Sequence, residues 1–322
     1  MKKSAACCEQ TSANNPINCF NWAGEHGDES NLVRGRGENQ SIKSMIDHVR
    51  ARLGAGGRVF LVGFSAGGAQ VAVMLATWPE VFSAAAINAG LPYRCATTVN
   101  GAFACMNQGR NLGAAAWGDL VRGAHPGYLG PYPRLSIWHG TQDSLVKFTN
   151  MAELVEQWTN VMGIDQTADV TGLVDGMPYA AHQRDGVTVV ETYTLTGKDH
   201  ITAIDPGFAP AGGCGRAVPF IVDANICAAY HQARFFGLAP AGTPTVDAGI
   251  PVADAVATPD AGGAPIESAT GTCTEHYVAG RLGPTSSPAA YLACGQRHGY
   301  VERFVMYRFG TCWSESADGA GC

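Results

Sequence analysis

The sequence is poor in charge: 15% of its 322 residues are Asp, Glu, Lys or Arg, against roughly 25% in an average soluble domain. Set beside 46% hydrophobic residues, that scarcity excludes disorder over most of the length. Basic residues are few and scattered, 21 against 27 acidic for a net charge of −6, so the electrostatic footprint of a nucleic-acid binder is missing. No apolar run reaches the roughly 18 residues that a membrane-spanning helix needs. Residues 1–20 have a basic start, Met1-Lys2-Lys3-Ser4, but lack the apolar stretch of roughly 7 to 15 residues that defines a signal peptide. Internal repeats are lacking too, which sets solenoid and fibrous classes aside.

What is present is glycine and proline, 41 and 17 residues, the composition of many turns joining short elements. Eleven cysteines stand at Cys7, Cys8, Cys19, Cys95, Cys105, Cys214, Cys227, Cys273, Cys294, Cys312 and Cys322. That usage suits an oxidising compartment and conflicts with the missing signal peptide. The length fits one enzyme-sized domain with something small attached.

Ile42, Met45, Ile46, Val49 and Leu53 fall at helical spacing and predict a helix over 38–53 that Gly54 to Gly57 stop. The run from Arg58 to Gly63 predicts a strand buried on both faces. Residues 66–78 read as a helix, 83–89, 134–138 and 187–195 as strands, and 144–160 and 220–236 as helices. Strands alternating with helices predict an α/β domain with a mostly parallel sheet, whose ligands sit at the carboxyl ends of the strands. Residues 239–268 change to Pro, Ala, Gly, Thr, Val and Asp without periodicity and read as a linker. Residues 269–322 hold four of the cysteines with several aromatics, which predicts a small disulfide-stapled module.

Gly63-Phe64-Ser65-Ala66-Gly67 matches G-x-S-x-G between a predicted strand and a predicted helix, the context in which the motif makes a sharp turn exposing a nucleophilic serine. The flanking glycines are expected where side chains would collide, and the Ala66 backbone N–H is the expected oxyanion donor. On such a scaffold the acid and then the base follow the serine along the chain. Asp143 comes just past one predicted strand and His200 just past a later one, so Ser65, Asp143 and His200 are the candidate catalytic residues. Asp199, Asp185 and Asp205 are weaker candidates for the acid, since none follows a strand in that way. His139 precedes the acid, His182 falls in a hairpin, and His231 lies in a helix where a packing role fits better. Cys273 with His276 and Cys294 with His298 imitate zinc ligand pairs, but structural disulfides explain the module better and no metal or cofactor is expected. Gly35-Arg36-Gly37 lacks a third glycine and a preceding strand, so it is no dinucleotide fingerprint. Trp22 and Trp138 are candidate substrate contacts, with simple packing as the alternative.

From about Glu9 to Leu238 the sequence resembles the secreted esterase family of poly(3-hydroxybutyrate) depolymerases and feruloyl or acetylxylan esterases. The resemblance rests on Asn14-Asn15-Pro16, Cys19-Phe20-Asn21-Trp22, Arg36-Gly37-Glu38, Gly63 to Gly68, Gly90-Leu91-Pro92-Tyr93 and Trp138-His139-Gly140-Thr141. It continues at His200, Asp205-Pro206-Gly207 and Ala228-Ala229-Tyr230-His231. It implies an α/β-hydrolase fold with helices on both faces of the sheet, a serine esterase of secreted origin, and the family triad on Ser65, Asp143 and His200. The C-terminal module resembles, more loosely, a small domain following some depolymerases, which implies contact with a polymer surface. A polymer-binding remnant without catalysis is the rival reading.

The resemblance also implies a departure. Relatives carry several strands, and a loop with a second oxyanion donor, ahead of the segment that begins here near Glu9. A chain lacking the first strands of the sheet, with impaired turnover, is therefore the expectation, and the absent signal peptide agrees with it.

Overall fold

The computed structural model describes residues 19–24, 29–54, 57–209 and 212–239, and the backbone of short strands at 267–271, 304–309 and 312–314. Helix α1 (Gly37–Leu53) leads through Gly54, at φ +59°, to strand β1 (Phe60–Phe64). Helix α2 (Ala66–Thr77) and strand β2 (Ala84–Asn88) follow, then α3 (Val99–Gln108), α4 (Ala114–Ala124), β3 (Arg134–Gly140) and α5 (Thr149–Met162). Three strands come next, β4 (Val170–Val174), β5 (Met177–Arg184) and β6 (Val187–Leu195), and then a parallel pair, β7 (Thr202–Ile204) and β8 (Ile221–Asp223), before α6 (Ala228–Phe235).

The main sheet has the order β1-β2-β3-β6-β5-β4. β1, β2, β3 and β6 run parallel, while β5 and β4 extend the sheet antiparallel. Both hairpins turn on Asp-Gly, Asp175-Gly176 and Asp185-Gly186, with all four residues at positive φ, the backbone that a two-residue hairpin requires. β1 is the outer strand among the described residues, and Val62 on it is 52% exposed. The expectation of missing strands concerns the chain ahead of about Glu9, outside the described residues.

Strand periodicity sorts β2 between two cores. Ala85 and Ile87 join a large cluster with α2, α4 and α5, while Ala84 and Ala86 face Phe235 of α6. Helices therefore cover both faces. Gly68 lets α2 approach the end of β2 closely: a Cβ there would lie 3.1 Å from Asn88 O. The carbonyls ending α6 are capped by Arg134, which donates to Phe235 O, and Arg58, which donates to Phe236 O, as suits the negative end of a helix.

On the α6 side, Glu191 is 4% exposed and accepts hydrogen bonds from Ser136 Oγ at 2.7 Å and Tyr179 at 3.2 Å. Burial pushes its carboxyl up to about 7, the hydrogen bonds only partly opposing this. The folded chain thus holds a proton that the unfolded chain has lost once pH exceeds the ordinary carboxyl value. Stability from this group is full below that value and declines as pH rises toward 7. A Glu191→Gln variant, which keeps the shape without the ionisation, is expected to gain about 3 kcal/mol relative to wild type between pH 4.5 and 7.5. Urea melts at several pH values check this.

Two boundaries depart from the sequence reading. The predicted helix 220–236 begins only at Ala228, because Ile221–Asp223 pairs with β7 and the Asn225 N–H turns back onto Asp223 Oδ1. The predicted helix 144–160 begins at Thr149, since residues 144–148 form the turn around Asp143. The strands β9 (Glu267–Gly271), β10 (Phe304–Phe309) and β11 (Cys312–Ser314) make an antiparallel sheet, which begins inside the span expected as linker. Cys273, Cys294, Cys322, His276 and His298 lie outside the described residues, and with them the stapling and zinc readings of the module. Among the described residues no helix is long and apolar enough to cross a membrane.

Candidate active site

β1 and β2 pair in register up to Phe64 and Asn88, and just beyond that pair the chain turns sharply into α2. Ser65 sits in the turn at φ +57°, ψ −124°, a conformation that costs a non-glycine residue about 1–3 kcal/mol. Asn88 holds it there: its carbonyl accepts the Ser65 N–H at 2.9 Å, and its Nδ2 donates to Gly63 O at 3.1 Å. Gln232 of α6 in turn donates to Asn88 Oδ1 at 2.9 Å. Ala66 is the first residue of α2, so its N–H has no partner within the helix.

The glycines flanking the serine are not equivalent. A Cβ on Gly63 would lie 2.1 Å from Gly67 O, whereas one on Gly67 would meet only Phe20, at 3.9 Å. The expectation of collision thus holds at Gly63 and is corrected at Gly67. Gly63→Ala is expected to abolish soluble, active protein, and Gly67→Ala to keep the fold and gain about 1 kcal/mol from helix propensity. Thermal melts and ester turnover of the two variants check the contrast.

Asp143 lies in the turn after β3 and is 3% exposed. One oxygen, Oδ1, accepts the backbone N–H groups of Leu145 and Val146 at 3.0 and 2.7 Å. The other, Oδ2, lies 2.8 Å from His200 Nδ1 and 3.2 Å from His139 Nε2. Burial alone would raise the Asp143 pKa, but hydrogen bonds from His139 and His200 outweigh it and hold the carboxyl well below the usual range. A carboxylate on Nδ1 requires the proton there, which leaves Nε2 of His200 bare, the tautomer of a general base.

The loops carrying Asp143 and His200 are sewn together. The Gln142 N–H donates to Lys198 O at 2.9 Å, and Asp199 Oδ1 accepts Ser144 N–H, Ser144 Oγ–H and His200 N–H at 2.8, 2.8 and 2.7 Å. Asp199 is thus a clamp between the two loops. Gly140 is required for their approach, since a Cβ there would lie 2.3 Å from Lys198 O. The disulfide Cys214–Cys227 ties the segment after His200 to the start of α6, and Cys95–Cys105 fixes the chain after β2 to α3.

Ser65 and His200 are joined through Phe64, whose ring lies 4.8 Å from the imidazole. Among the described residues no hydrogen bond links Ser65 Oγ to His200, a contact that commonly closes only with substrate bound. Phe220 stands edge-on to His200 at 6.2 Å, at φ +65°, a rare backbone state for so bulky a residue. Trp138 takes the packing alternative: it is 1% exposed, stacks on Tyr193 at 3.7 Å and donates to Ser136. Trp22, 5% exposed, likewise belongs to the large core. Strand alternation turns Trp138 toward α6, away from its neighbour His139. His182 lies on β5, and His231 binds Asp175 at 2.7 Å, fastening α6 to the β4–β5 turn.

The profile of the Esterase PHB depolymerase family matches residues 4–175. Poly(3-hydroxyalkanoate) depolymerase C of Paucimonas lemoignei is 44% identical over 306 residues, 93% of this chain and 72% of its own length. Feruloyl esterase B of Talaromyces stipitatus is 34% identical over 168 residues, which are 50% of this chain and 46% of the relative. In fold, the acetyl xylan esterase from Aspergillus awamori superposes with a TM-score of 0.56 at 23% identity, covering 69% of this chain and 74% of that one. The sequence match over more than half the chain, and the depolymerase that it follows over most of its length, place this protein in the Esterase PHB depolymerase family of carboxylic ester hydrolases.

Proposed function

We propose that the protein hydrolyses esters through an acyl-enzyme, with Ser65 as nucleophile, His200 as general base and acid, and Asp143 as the group that orients and stabilises the imidazole. Ser65 Oγ bonds to the ester carbonyl carbon while His200 Nε2 takes its proton, and the tetrahedral oxyanion is stabilised by the Ala66 N–H at the positive end of α2. The imidazolium returns the proton to the departing alkoxide. Water, deprotonated by His200, then releases the acid and restores Ser65. The observation that carries this reading is the buried 2.8 Å contact of His200 Nδ1 with Asp143, beside a serine held in a strained turn.

The substrate is a hydroxyalkanoate polyester. Support comes from the depolymerase relative, aligned over 93% of this chain, while Phe64 and Phe220 supply apolar surface at His200 against which an aliphatic chain can pack. The disulfides agree with a secreted enzyme, and the strands beyond residue 266 belong to a module that meets the polymer surface. Incubation with poly(3-hydroxybutyrate) film and with acetylated or feruloylated xylan tests the assignment. Release of 3-hydroxybutyrate and its oligomers is expected, and release of acetate or ferulate alone would refute it.

A further inference from the structure

Asp143 is gripped by two histidines, and the triad uses one of them. His139 is fully buried on β3, its ring edge-on to Phe148 at 5.9 Å. Its Nε2 lies 2.8 Å from Val146 O and 3.2 Å from Asp143 Oδ2. Both of those oxygens are acceptors, so the proton must be on Nε2. Nδ1, buried and without a partner, then carries only its lone pair, and a second proton there would be an unsatisfied buried donor. The tautomer of His139 is thus fixed by its surroundings, and the ring serves as a permanent donor shared between Val146 O and the carboxylate oxygen that faces His200.

We infer that His139 is a positioning residue for catalysis, which holds Asp143 Oδ2 together with His200 and divides that oxygen's charge between two donors. The inference rests on the triad reading given above. A carboxylate that already serves one donor stabilises the imidazolium of His200 less. The other groups around His200 leave this balance to the pair of histidines. Asp199 is engaged by its hydrogen bonds to Ser144 and the His200 N–H, while β1 and the segment before β8 bring the rings of Phe64 and Phe220.

The test is the pH profile of kcat/KM, whose acid limb reports protonation of the base in the free enzyme. In His139→Phe, which fills the site without a donor, the acid limb is expected to move up by about one pH unit. His139→Gln, which retains an N–H, is expected to restore it. An unmoved acid limb in His139→Phe, with Ser65 still labelled by a fluorophosphonate, would overturn this role and leave the triad standing. Loss of labelling in the wild type would overturn both. A measurement on the wild type alone serves if His139→Phe does not fold: nitrogen NMR is expected to show His139 protonated on Nε2 and bare on Nδ1, and the reverse tautomer would refute the inference.

Discussion

Ser65→Ala is expected to lower kcat for ester hydrolysis by about five to six orders of magnitude, leaving the residual catalysis that binding and the oxyanion donor alone supply. In the proposed mechanism the effect is large because the other two groups have no purpose without the serine: His200 has no hydroxyl to deprotonate, and Asp143 has no imidazolium to stabilise. The fold should not suffer, since alanine keeps the Ser65 backbone bonds to Asn88 and Ala69. It also keeps the strain of φ +57°. Ser65→Gly should therefore be equally inactive but more stable than Ser65→Ala by about 1 kcal/mol. Turnover of p-nitrophenyl butyrate and a pair of denaturant melts check both halves.

Asp143→Asn is expected to cost about ten-thousandfold in kcat with little change in KM, through the tautomer of His200. The Leu145 and Val146 N–H groups fix an acceptor at the Oδ1 position, so the amide oxygen takes that place and the NH2 group is turned toward the two histidines. There it confronts Nδ1–H of His200, donor against donor. His200 relieves the clash by moving its proton to Nε2, and a base protonated at the atom that must accept is no base. Measuring kcat and KM separately distinguishes this from a loss of substrate binding.

Much of this site was legible because its signals are local. Gly63 to Gly67 between an apolar run and a helical pattern gave the turn proposed to carry the nucleophile, and the proposed acid and base each lie just past the end of a strand. Asn88 carried no signal, and Asp199 and His139, weighed only as a weaker acid and a set-aside base, were not legible in the roles they take, for those roles depend on which strands and loops become neighbours. Asn88 matters because β2 pairs with β1 in register, and His139 because the turn after β3 folds back on it. The helix boundaries failed for a related reason: Ser144 to Phe148 and Ile221 to Asp223 have apolar spacing compatible with a helix, but side-chain bonds to Asp143 and pairing with β7 claim their backbones. The two hairpins did have local signals, Asp175-Gly176 between β4 and β5 and Asp185-Gly186 between β5 and β6. For Trp138 the sequence left substrate contact and packing both open, because nearness to a loop says nothing of which face of a strand a side chain takes.

In the proposed mechanism one hydroxyl of this chain is activated by a buried histidine and carboxylate. Mass spectrometry after exposure to a fluorophosphonate is expected to find a single adduct on Ser65 in the wild type and almost none in a folded His200→Ala variant. An unmodified wild-type chain, or an adduct on Ser65 formed equally fast without His200, would contradict it.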